Sequence, residues 1–229
     1  MTTRPPMIPY LVSPRLIGML CLAAGLLLPL AAAAHPHGWI DLRMRLVLDG
    51  EGRLQALQQS WRLDPFYSLV LLEELGREAG GGGLDAGLDQ LGSDMRETLS
   101  PQGYFTELTL EGGRVELGEV DDYTVLEREG RIEFVFLLPL AEPLDMAGET
   151  LRYRVFDPSY YIEVVHEAEG DTPLEDALVV GGELACETRI RAAEPDPERV
   201  MAAAMLDVDD EAEPGLGRHF AETGEVSCR

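Results

Sequence analysis

The sequence predicts an α+β fold, mostly antiparallel strands with a helical hairpin inserted after the first β-hairpin. Three observations predict it. Two alternating segments flank a turn at Asp49–Gly52, residues 64–100 carry helical apolar spacing around the glycine run Gly80 to Gly83, and the chain beyond Pro101 reads as short strands parted by turns.

Gly38 to Leu48 alternates cleanly. Ile40, Leu42, Met44, Leu46 and Leu48 share one face, and Trp39, Asp41, Arg43 and Arg45 share the other, as in a half-buried strand. Asp49-Gly50-Glu51-Gly52 supplies turn chemistry, and Arg53 to Leu63 returns as the second strand. Asp64-Pro65 is a helix N-cap followed by the proline favoured in a first turn, and Phe66, Leu69, Val70, Leu72 and Leu75 give that helix an apolar side. Gly80 to Gly83 breaks it, and a second helix runs from Leu84 to Leu99 before Pro101. Strands are then expected at Tyr104 to Glu111, Arg114 to Leu117, Tyr123 to Arg128, Ile132 to Leu138, Thr150 to Phe156, Tyr160 to His166, Ala177 to Val180 and Cys186 to Ala192. A short helix at Glu198 to Asp207, an acidic solvated loop at Val208 to Gly217 and a last strand at Gly224 to Cys228 complete the chain.

The N-terminus has the parts of a secretory signal: Arg4 and Arg15 without acidic residues, the apolar run Leu16 to Leu30, and the small residues Ala31 to Ala34. We read residues 1–34 as a signal peptide and 35–229 as a periplasmic α+β domain beginning at or beside His35-Pro36-His37. A retained membrane anchor is the rival reading, and the residues before Cys21 do not form a lipobox. Processing leaves 16 basic and 42 acidic residues, a net charge of −26. Such a charge argues against nucleic acid, and against direct binding to an anionic membrane, as partners. All the basic residues are arginine. Cys186 and Cys228 remain, and in an oxidising compartment they most simply form one disulfide, with thiolate metal ligation as the rival.

There are four histidines, and His35 and His37 open the processed chain. Imidazole suits zinc, copper and nickel. Residues two apart on an extended chain point the same way, roughly 6–7 Å apart, so His35 and His37 can close on one ion, with Asp41 joining from the same strand face. The α-amine freed by cleavage adds a nitrogen. Cleavage after Ala34 permits a His35 amine–imidazole chelate, whereas cleavage after Ala33 makes a different one. Pro36 has no amide hydrogen and forbids the chelate that runs through two amides to a third-residue histidine. A frayed terminus without metal is the bland alternative.

A second cluster is Asp157, Glu163 and His166. Alternation puts Glu163 and His166 on opposite faces unless a bulge intervenes, and a turn at Asp157-Pro158 followed by a core strand with inward tyrosines explains the same residues without a ligand. Trp61 to Ser68 reads as the start of a helix with aromatic packing, and nothing assigns His219. H-E-x-x-H, G-x-S-x-G, P-loop and strand-linked G-x-G-x-x-G patterns are absent, so a non-enzyme is expected.

The segments HPHGWID (35–41), WRLDPFYS (61–68), YFTEL (104–108), FLLPL (136–140), FDPSYYIE (156–163) and HFAETGEVSC (219–228) together resemble the periplasmic domain-of-unknown-function 1007 family. The resemblance implies a partner for an inner-membrane NicO-type nickel/cobalt transporter, with some members tied to zinc. It makes His35 and His37 the first metal-site candidates and Asp157 the next. Where many relatives carry an acidic, calcium-loop-like segment, this chain has Gly80 to Gly83. The expected function is therefore periplasmic handling of a divalent transition metal, zinc, nickel or cobalt, together with that transporter. The alternatives are a metal-free accessory subunit, and a copper protein using His35 as a histidine brace with His166 as the remote imidazole.

Overall fold

The structure is a computed structural model describing residues 36–78, 83–206, 210 and 212–229. The segment expected to be a signal peptide, His35, Gly80 to Gly82 and part of the acidic loop lie outside the described residues. The described residues form one compact unit.

β1 (Gly38–Leu48) and β2 (Leu54–Leu63) pair antiparallel, Leu42 opposite Trp61 and Leu46 opposite Leu57. Asp49 closes their turn by accepting the amides of Glu51 and Arg53 through Oδ1, as a short acidic side chain does in an Asx turn. Two helices follow, α1 (Pro65–Glu78) and α2 (Gly83–Leu99), then a 3-10 turn (Ser100–Phe105) and the strands β3 (Thr106–Leu110), β4 (Gly113–Arg114), β5 (Asp122–Arg128) and β6 (Arg131–Leu144). β7 (Thr150–Val155), β8 (Ile162–His166), β9 (Ala168–Glu169), β10 (Thr172–Pro173), β11 (Leu178–Val180) and β12 (Cys186–Arg191) come next. The chain ends with α3 (Pro197–Ala204), a second 3-10 turn (Leu216–His219) and β13 (Thr223–Cys228). The class is α+β, as the pattern predicts.

One sheet has the order β11-β1-β2-β6-β5 with β8 also on β1, a second has the order β12-β13-β7-β3-β4, and β9 and β10 pair as a two-stranded ribbon. Inward residues of the two large sheets, among them Leu42, Trp61, Phe134, Leu108, Tyr153 and Val226, share one apolar core. α2 extends that core by laying Leu88 and Leu99 into it. At Gly92 a Cβ would lie 3.1 Å from side-chain carbons of Tyr123 and Val125, so a glycine lets the helix sit close on β5. Cys186 and Cys228 face each other across β12 and β13 and are bonded, which joins the C-terminus to the strand predicted for it.

Within this mostly antiparallel arrangement β1 pairs parallel with β8 and β11, because the chain passes through the second sheet before returning to the open side of β1. Three expectations need correction. The strand expected from Tyr104 starts at Thr106, since Gly103, Tyr104 and Phe105 occupy the left-handed region at φ of 58, 52 and 56°. Each non-glycine there costs about 1–2 kcal/mol. In return Tyr104 enters the core and Phe105 stacks on Trp61. The strand expected over Arg114 to Leu117 shrinks to Gly113–Arg114, with Leu117 making one bridge to Leu140. On α1, Leu72 and Leu75 pack against the core while Phe66, Leu69 and Val70 face outward. Ser68 decides this. Its hydroxyl donates to the Leu63 carbonyl and accepts the amide of Ile132, which turns a small polar residue toward β6.

Candidate functional site

The described chain begins beside a junction of three elements. His37 donates its amide to the Tyr161 carbonyl at 2.9 Å, and the two rings lie 4.4 Å apart between centroids. The parallel register of β1 and β8, Gly38 opposite Ile162, sets this neighbourhood. Asp64 arrives from the end of β2. Its amide donates to the Trp39 carbonyl, and its Oδ1 accepts the amides of Phe66 and Tyr67, both at 2.9 Å. That is N-cap geometry, satisfying amides that the first helical turn leaves unpaired. The other oxygen, Oδ2, is turned toward Gly38, where an added Cβ would lie only 2.7 Å from it.

These residues enclose a pocket of about 60 Å³ lined by His37, Gly38, Trp39, Asp64, Tyr67 and Tyr161, among others. The lining combines one imidazole, one buried carboxylate and two phenols with the aliphatic side chains of Ile40, Leu63 and Ile162. Imidazole and carboxylate suit zinc, nickel or cobalt, and His35 precedes His37 by two residues in the chain.

The other predicted residues go elsewhere. Asp41 pairs with Arg131, Oδ2 to Nη2 at 2.7 Å, on the strand face opposite Ile40 and Leu42. Asp157 is buried and organises its own loop: Oδ1 accepts the amide and hydroxyl of Ser159, and Oδ2 accepts the amide of Ile162. The turn predicted at Asp157-Pro158 is present. β8 nevertheless starts only at Ile162, so Tyr160 and Tyr161 belong to the loop, with Tyr160 buried and Tyr161 exposed.

Glu163 and His166 stand on opposite faces of β8, Glu163 opposite Trp39 and His166 opposite the core residue Leu42. Burial pushes the Glu163 carboxyl above the usual carboxylate range, an effect that the Tyr160 hydroxyl 3.4 Å away opposes and the Glu222 charge reinforces. His166 is buried, with Nδ1 2.7 Å from Glu222 Oε2 and Nε2 2.7 Å from the Tyr153 hydroxyl. The same Glu222 oxygen accepts the His166 amide. Burial raises the Tyr153 phenol, keeping it protonated as a donor. These partners assign the proton to Nδ1, facing the carboxylate, and leave Nε2 to accept. Among the described residues, no three His, Cys, Asp or Glu side chains gather as a metal-binding group.

Sequence reasoning missed Asp64 as a pocket residue, although its N-cap role was legible. It also missed Glu222 and Tyr153, which reach His166 from the other sheet and leave no local signal.

The chain matches the family described as protein of unknown function, DUF1007, over residues 20–228. It belongs to that family. A Haemophilus influenzae relative carrying the description "uncharacterized protein" is 22% identical over 210 residues, covering 90% of this chain and 97% of that protein. The DUF1007 chain also aligns with the acetylcholine-binding protein of Bulinus truncatus, covering 93% of this chain and 98% of that one. At a TM-score of 0.28 and 11% identity, that alignment carries no argument about fold or function.

Proposed function

We propose that this DUF1007 protein is an exported, periplasmic binder of a divalent transition metal, zinc, nickel or cobalt, that works with an inner-membrane NicO-type transporter. The observation that supports this reading most is the shared pocket of His37 and Asp64 at the head of β1, two residues after His35. His37 and Asp64 supply a nitrogen and an oxygen. His35 and the amine freed by signal cleavage supply further nitrogens from the adjoining chain. An ion held at a chain end can be exchanged with a partner more readily than one enclosed by four fixed ligands. On the same reading α1 and α2 act as an inserted helical hairpin that carries Asp64 at its base.

Intact mass of the exported protein followed by calorimetric metal titration tests this. Wild type is expected to bind one ion. His37→Ala and Asp64→Asn, which keeps the N-cap acceptor, should each weaken binding about 10–100-fold. Unchanged affinity in a variant combining His35→Ala, His37→Ala and Asp64→Asn would sink the site. The histidine-brace copper reading draws less support, because both ring nitrogens of His166 already have partners in Glu222 and Tyr153.

A further inference from the structure

Arginines are not spread evenly over this acidic chain. In the second sheet Tyr153 and Val226 pack into the core, so alternation turns Arg152 and Arg154 of β7, Thr223 and Glu225 of β13, and Arg189 and Arg191 of β12 outward. The register sets Arg189, Glu225 and Arg152 in one row. Arg191 stands opposite Thr223 in the next row, and Arg154 reaches that threonine from the other side. Four guanidinium groups thus occupy the corners of a rectangle around a single carboxylate. Arg114 of β4 and Arg218, which is paired with Glu107, extend the basic area past β3.

Glu225 serves one diagonal of the rectangle. Its two oxygens accept Arg152 Nε at 2.9 Å and Arg191 Nε at 2.7 Å. The other diagonal, Arg154 and Arg189, has no carboxylate partner among the described residues. Arg154 Nε donates to the Thr223 hydroxyl at 2.8 Å, and Arg189 is exposed. In a chain of formal net charge −24, this face therefore keeps two uncompensated cations.

Their spacing matches one kind of ligand. The two rows lie two residues apart along the strands, roughly 6–7 Å. An extended polypeptide with acidic residues at alternate positions presents its carboxylates at the same pitch, and guanidinium meets carboxylate in a planar two-bond geometry. A segment running above β13 brings one carboxylate to Arg154 and the next to Arg189. The outward positions of β7, β12 and β13 hold no aromatic residue, so the stacking platform of a single-stranded nucleic acid site is missing. A narrow segment also meets chiefly the patch itself, because charges beyond about 8 Å are screened at physiological salt. A broad anionic surface would meet the surrounding acids as well.

We propose that the outer face of β7, β13 and β12 docks an extended acidic segment of a partner protein, with alternate carboxylates of that segment on Arg154 and Arg189. The docking needs no metal. The face belongs to the second sheet and His37 to the first, so the proposal stands apart from the metal reading.

A fluorescent peptide alternating glutamate and threonine is titrated with the protein by anisotropy, in chelator and low salt. We expect saturable binding that weakens steeply as salt is added. R154Q/R189Q should weaken it about tenfold without changing the circular dichroism, since both side chains point outward. R154K/R189K keeps the charge and should recover part of the loss. R45Q/R77Q removes the same charge from exposed arginines of β1 and α1 and should bind like wild type. A peptide of the same composition with its glutamates in one block should bind more weakly.

Absence of peptide binding by wild type overturns the proposal, and so does equal binding by R154Q/R189Q or equal affinity for the block peptide. An equal loss in R45Q/R77Q overturns it too, since net charge alone would then explain the binding. It is also overturned if phosphatidylglycerol vesicles or a single-stranded oligonucleotide displace the peptide at equal charge concentration, or if the face pairs two copies that R154Q/R189Q separates in sedimentation. None of these outcomes touches the metal reading, which is measured at His37 and Asp64.

Discussion

Two glutamates four residues apart show how surroundings rather than residue type set a carboxyl's behaviour. Glu163 is raised, first by burial, whereas Glu167 is lowered, first by its hydrogen bond from Arg43 and further by Arg62 and Arg131. For Glu163 the folded value lies above the unfolded one. The unfolded chain therefore gives up its proton first, and the fold loses stability as pH rises from the ordinary carboxylate range through the raised value. For Glu167 the stabilisation is present above the ordinary range and is lost as pH falls through the lowered value. Glu163→Gln should thus gain on wild type as pH rises, while Glu167→Gln should cost roughly 0.5–1 kcal/mol near neutrality and nothing in strong acid. Urea titrations across that range check both, and parallel pH profiles for the two variants would contradict the assignment. Neither environment was legible in the sequence. Asp157 and Glu163 appeared there only as oxygens near a histidine. That Asp157 spends its acceptors on its own loop depends on Ser159 and Ile162 folding back over it.

Elements were easier to read than environments. β1, β2 and α2 stand within a residue of the expected spans because alternation, the N-cap at Asp64 and Pro101 are local signals. What escaped were consequences of distant packing: the left-handed Tyr104 and Phe105, the loss of most of the Arg114 to Leu117 strand, and the outward stripe of α1. The disulfide was legible because only two cysteines follow residue 34. It closes a separation of 42 residues that includes α3 and the acidic loop. A closure of that length stabilises by about 2–4 kcal/mol, chiefly by restricting the unfolded chain. C186S/C228S should lower the midpoint of thermal unfolding accordingly while leaving metal titration at His37 unchanged. A variant as stable as wild type in non-reducing buffer would show that the bond does not form in the protein as made.

At the scale of the whole molecule, charge is the dominant property. Ion pairs such as Arg131–Asp41 and Arg152–Glu225 engage many of the arginines, yet 42 acidic groups face 18 basic ones. Salt weakens attraction and repulsion alike, and here the unpaired acids outnumber what the pairs can offset. Raising ionic strength to roughly 1 M shrinks the Debye length to about 3 Å, and the melting temperature should climb with it. A falling melting temperature would mean that the ion pairs outweigh the self-repulsion. The expected sign of this effect follows from composition alone.

The parallel pairing of β1 has a consequence in time. β1 is among the earliest described segments of the chain, yet the strands on its open side are β8 and β11, more than a hundred residues later. A chain emerging N-terminus first can close the β1–β2 hairpin at once, but the other edge of β1 stays bare at Gly38–Leu42 until residues 162–166 appear and at Met44–Leu46 until residues 178–180 appear. Closure of such distant pairs makes folding slow and late. The sheet therefore stays open until late in the chain's synthesis, and the His37 junction forms only when Tyr161 arrives.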